Sequence, residues 1–116
     1  MARSNYEFEV GATPWNVGSG SNAADGVPIY ANRVFVQMKE GGAGMGYVCD
    51  GIRGARIPDI TKSNDVTAGL APSADDTHPG GEYGDADEVH GINMDQFWVH
   101  GSTPGDKIRV SVDWKN

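Results

Sequence analysis

The chain has 116 residues, nine basic against sixteen acidic for a formal net charge of −7, a 38% hydrophobic content, 17 glycines and one cysteine. That length suits a single domain spanning residues 1–116, burying about 60–65% of its unfolded surface. An acidic balance argues against nucleic acid as a partner, because that affinity comes largely from neutralising phosphates. Cys49 alone forms no intrachain disulfide and reads as a small buried hydrophobe. No stretch approaches the roughly 18 apolar residues of a membrane span. The opening MARSNYEFEV has neither a signal peptide's apolar run nor an anchor's, so the expected site of synthesis is the cytoplasm. A composition this lean predicts a thin core to which neighbouring subunits add.

Tyr6, Phe8 and Val10 alternate with Glu7 and Glu9, which predicts a short strand with acids on its wet side. Residues 11–26 are rich in glycine, serine, asparagine and alanine, with Trp15 and Val17 as the bulky apolar members. This stretch reads as an arm or loop whose indole needs cover, from its own domain or from a neighbour. Over Val27 to Met38, the side chains of Val34, Val36 and Met38 alternate with Arg33, Phe35 and Gln37. After the turn Glu40-Gly41-Gly42-Ala43-Gly44, a second strand over Met45 to Ile52 predicts a central hairpin. The glycine-rich turn lacks the lysine and the following helix of a phosphate loop.

Arg53 and Arg56 precede Ile57-Pro58-Asp59-Ile60, and Pro58 places this piece at a sheet edge or in a loop. The two arginines read either as local ion pairs with Asp50 and Asp59 or as contacts to an acidic partner surface. One more short strand is expected within Asp65 to Leu70. Residues 71–88 carry Asp75, Asp76, Glu82, Asp85, Asp87 and Glu88 and no lysine or arginine. Such a run reads as a solvated acidic loop. Calcium takes oxygen ligands, but the spacing matches no calcium loop. The histidines His78, His90 and His100 lack zinc-ligand spacing, although His90 and His100 could face one another. No nucleophile elbow and no scaffolded carboxylate pair is present, so neither an enzyme, a cofactor nor a metal site is expected.

The last stretch has the strongest pattern. Ile108, Val110, Val112 and Trp114 alternate with Lys107, Arg109, Ser111 and Asp113. Phe97, Trp98 and Val99 run together, as in a strand covered on both faces. Gly101-Ser102-Thr103-Pro104-Gly105 between them is turn chemistry, which predicts a C-terminal hairpin. No amphipathic helical stretch occurs. The expected class is all-β: an antiparallel, jelly-roll-like β-sandwich of about seven or eight short strands with long glycine- and aspartate-rich loops.

The order of a VFVQ strand, a glycine turn, a GYVCDG strand, GLAPS, a PGG element and INMDQFWVHGSTPGDKIRVSVDW resembles the small head-decoration and cement proteins of tailed bacteriophages. The resemblance covers Val34–Gly51 and Leu70–Val112, about half of the chain, and Asp95 to Val112 is its most specific part. Ser73 departs from it, standing where that family usually has glycine. The resemblance implies a virion structural protein on the capsid exterior that bridges major capsid protein subunits and assembles as a dimer or trimer. Under it, Trp15, Val17, Ile57 and Ile60 become the anchors beneath neighbouring chains, with Arg53 and Arg56 beside them. The competing expectation is a carbohydrate- or receptor-binding sandwich of a phage virion, with Trp98, Tyr83 and the acidic loop as a sugar platform.

Overall fold

The computed structural model of the chain describes residues 3–18, 30–52, 56–71, 81–84 and 92–114. Nine strands occur among them: β1 (Arg3–Glu9), β2 (Trp15–Asn16), β3 (Tyr30–Met38), β4 (Gly46–Asp50), β5 (Ala68–Leu70), β6 (Gly81–Gly84), β7 (Ile92–Asn93), β8 (Phe97–Gly101) and β9 (Lys107–Trp114). They form two sheets. The first has the order β1-β9-β3-β6, with β7 pairing the start of β3, and the second has the order β2-β8-β4-β5. Every pairing is antiparallel. The all-β sandwich expected from the sequence is thus the architecture of the molecule.

Period-two alternation explains why these strands face as they do. In β3 the side chains of Val34, Val36 and Met38 are buried while Arg33 and Phe35 are exposed. In β9 Ile108, Val110 and Val112 are fully buried between them. Opposite them, Val48, Phe97 and Val99 close the core from the second sheet. Trp114 is half-buried at the rim, its indole N–H donating to Ser4 Oγ at 2.9 Å.

Neither expected hairpin exists. β3 lies in the first sheet and β4 in the second, and β8 and β9 are divided in the same way. Each glycine-rich turn carries the chain across the sandwich instead of reversing it within one sheet. Both strands at each turn bury a hydrophobic face, and facing each other across the core satisfies that pattern as well as lying side by side would. The crossovers are tied together at one end of the molecule. The Asp106 carboxylate accepts from the Ala43 and Gly44 amides at 3.0 and 2.8 Å, the Ser102 amide donates to Met45 O, and the Val10 amide donates to Asp106 O. Gly46 and Gly101 stand opposite each other in the second sheet at this end. A Cβ on Gly46 would meet Met38 Sδ, the end of a flexible side chain that can move aside, whereas one on Gly101 would lie 2.7 Å from Val10 Cγ2 and 3.3 Å from Met45 O, so the close approach of the layers is tightest at Gly101.

A second correction concerns residues 71–88, read as one loop. Gly81–Gly84 within it is strand β6, paired with Arg33–Val36 of β3. Its short sequence GEYG has too little alternation to show a strand, and the long partner strand supplies the ladder. Residues 72–80 and 85–91 lie outside the described residues.

Candidate docking surface

The connection from β4 to β5 runs over the outer face of the second sheet. Val48 points into the core, so its neighbours Tyr47 and Cys49 point outward, yet Cys49 is fully buried. Cover comes from the loop. Trp98 Nε1 donates to Ile52 O at 3.2 Å, the Gly51 amide donates to Gln96 O, and the Thr67 amide donates to Val48 O at 2.7 Å. Burial, with nearby Asp65 adding to it, pushes the Cys49 thiol up to about 11. It is therefore an inert hydrophobe at neutral pH.

Asp65 organises the loop. The residue is 5% exposed, and its carboxylate takes a two-pronged contact from Arg56, Nη1 to Oδ2 and Nη2 to Oδ1, both at 2.9 Å. The Asp59 amide donates to the same Oδ2 at 2.9 Å. A planar guanidinium fork matches a carboxylate in this way and fixes orientation as well as distance. The Arg56 contact foremost, then the Asp59 amide, hold the Asp65 carboxyl below its ordinary range, and the same contact raises Arg56. Within the loop, Asp59 Oδ1 accepts from the Thr61 hydroxyl and amide, and the Lys62 amide donates to Asp59 O. This is aspartate turn chemistry. Pro58 is buried, Ile60 is half-buried, and Ile57 between Arg56 and Pro58 is 53% exposed. A loop locked by a buried carboxylate thus holds a bare isoleucine up to solvent.

The sequence-predicted residues divide. Arg56, Ile57 and Ile60 come together in this loop. Arg56 pairs with Asp65, not with Asp50 or Asp59, because Asp59 contributes its amide and turns its carboxylate toward Thr61. Arg53 lies outside the described residues. Val17 is corrected: it is fully buried in its own sandwich, its amide donating to Phe97 O, and is no surface anchor. Trp15 receives its cover from its own domain. It sits in β2 opposite Val99, stacked on Phe8 at 5.7 Å and edge-on to Tyr6 at 5.6 Å, closing the gap between the two sheets. Residue-type reasoning missed Asp65 and Asp106, since nothing marks an aspartate in a turn as a buried acceptor.

The other candidates do not converge. Trp98 belongs to the second sheet and Tyr83 to the first, at a register position opposite Val34. His100 is 9% exposed and, among the described residues, its Nδ1 has no hydrogen-bond partner; burial lowers its pKa. His78 and His90 lie outside the described residues. A polar cleft of about 170 Å³ beside Lys39, Glu40, Asp106 and Lys107 is smaller than ordinary ligand pockets. Among the described residues no group of three or more His, Cys, Asp or Glu is placed to hold a metal ion, and no helix is long and apolar enough to cross a membrane.

Fold and loop together define an antiparallel β-sandwich that presents, on one outer face, a loop latched by Asp65 with Ile57 exposed. Comparison with protein-family models, curated proteins and solved structures finds no match.

Proposed function

We propose that this chain is a virion structural protein that decorates and cements the outer surface of a bacteriophage capsid by bridging major capsid protein subunits, and that it turns nothing over. The observation that carries this reading is Ile57, an exposed isoleucine on a loop fixed by the Asp65–Arg56 fork. An apolar side chain on a preordered loop docks onto protein with little further ordering cost. Arginine beside it, its side chain 58% exposed while paired, is a residue type enriched in interfaces. The pairing of β4 with β5, β3 with β6, β2 with β8 and β1 with β9 is that of a long hairpin rolled up. This nesting supports the jelly-roll reading, and with it the resemblance to phage cement proteins. On a capsid, many copies of one weak contact give stable attachment through avidity.

The test is co-sedimentation of the purified protein with empty expanded phage heads. Ile57→Asp is expected to cut head occupancy at least about ten-fold while leaving thermal unfolding unchanged. Attachment indifferent to Ile57→Asp removes the loop from the interface. A protein that binds a glycan and ignores heads belongs to the carbohydrate-binding class instead.

A further inference from the structure

Three of the four sheet borders are formed by short strands: β2 has two residues, β5 has three, and β6 and β7 have four and two. The fourth, β1, has seven residues and pairs only with β9. Among the described residues nothing pairs with its outer edge, which leaves a row of backbone donors and acceptors open to another strand. The aromatic cluster of Tyr6, Phe8 and Trp15 lies at this same border, and each ring is only half-buried.

The sequence of β1 is complementary to itself when reversed. An antiparallel partner centred on Tyr6 sets position 3 against position 9, arginine against glutamate, twice. It also sets Asn5 against Glu7 and Ser4 against Phe8, so all seven positions pair, with no like charges opposed. Centring on Glu7 places that carboxylate against its own copy, and centring on Asn5 leaves Phe8 and Glu9 without partners. Side-chain faces agree as well. Tyr6 and Phe8 of both copies fall on the inward side of one continuous sheet, and Glu7 and Glu9 fall on the outer side.

We infer that the β1 edge is a homodimer seam, in which a second copy of this chain pairs antiparallel about a two-fold axis through Tyr6 and joins two sheets into one. This rests on the open edge and its self-complementarity, not on the capsid reading.

Sedimentation of the isolated protein from about 1 to about 300 μM is expected to show a monomer–dimer equilibrium. Arg3→Glu and Glu9→Arg are each expected to weaken dimerisation by about ten-fold or more, because each opposes like charges at both ends of the seam. Mixing the two variants restores the dimer, since the mixed pair has glutamate against arginine at both ends. Within one chain positions 3 and 9 face Asp113 and Lys107, so each variant also perturbs its own sheet, but such damage cannot be repaired by mixing. A chain monomeric throughout, an assembly of another order, association unmoved by either variant, or a mixture that stays monomeric would each overturn the seam.

Discussion

Asp106 and Asp65 are both buried aspartates that gather backbone amides, yet they hold different kinds of structure. Asp106 accepts from residues 62 and 63 positions away and draws the β3–β4 crossover onto the β8–β9 crossover. Asp65 accepts from Arg56 and Asp59, nine and six positions away, and closes a single loop laid over a finished sheet. The first set of bonds exists only when both layers are assembled, so it belongs to the global transition. The second can open while the sandwich stays intact, as local units do. A docking loop of the second kind is ordered in advance by its own bonds, and its sequence can vary without disturbing the frame.

The largest effect is expected at the crossover end. Asp106→Ala removes the acceptor for two amides and should cost about 2 kcal/mol, since hydrogen bonds to a charged group are the stronger kind. For a domain of this size that lowers the midpoint of thermal unfolding by about 8 °C. A two-state transition at the wild-type midpoint would show that the crossovers hold without it.

His100 tests the outer face of the second sheet through pH. Its pKa is lowered below the ordinary 6.5 by burial, so between that value and the folded one the unfolded chain takes up a proton that the folded chain refuses. Stability therefore falls as pH drops through 6.5 toward the lowered folded value. His100→Gln should flatten that part of the profile, read as urea midpoints. An unchanged slope would assign it to other groups.

The smallest effect on global unfolding is expected from Asp65→Asn. Arg56 and the Asp59 amide favour the charged carboxylate, so the latch is intact above the ordinary aspartate value of 3.8 and released only as pH falls through the lowered one. At neutral pH the variant should mimic that release. Amide exchange is expected to rise across the Asp59–Asp65 hydrogen bonds and stay unchanged in β3 and β9, sharpening the contrast with Asp106→Ala. Equal acceleration in the strands would mean that the loop is part of the frame.

Much of the molecule is legible in its residues because a strand displays its burial every second position. Tyr6 and Phe8 in β1, Val34 to Met38 in β3 and Ile108 to Val112 in β9 declare their faces that way, and Pro58 declares a loop. The partner of each strand is not displayed. Backbone ladders carry no side-chain signature, so Gly41 to Gly44 and Ser102 to Gly105 look like hairpin turns although each bridges two sheets. For the same reason β6 was hidden in an acidic stretch, and Arg56 had three nearby carboxylates among which spacing does not choose. Val17, isolated among small residues, looked like an arm's anchor until β8 packed over it.

By itself the sequence determined the all-β class, the inward faces of the long strands and the position of the loop carrying Arg56, Ile57 and Ile60. Only the tertiary structure decided which strands share a sheet, which aspartate closes the loop, and that Val17 is core while Ile57 stands free. Periodicity is a property of neighbours along the chain; pairing and burial depend on what the rest of the chain brings to each face.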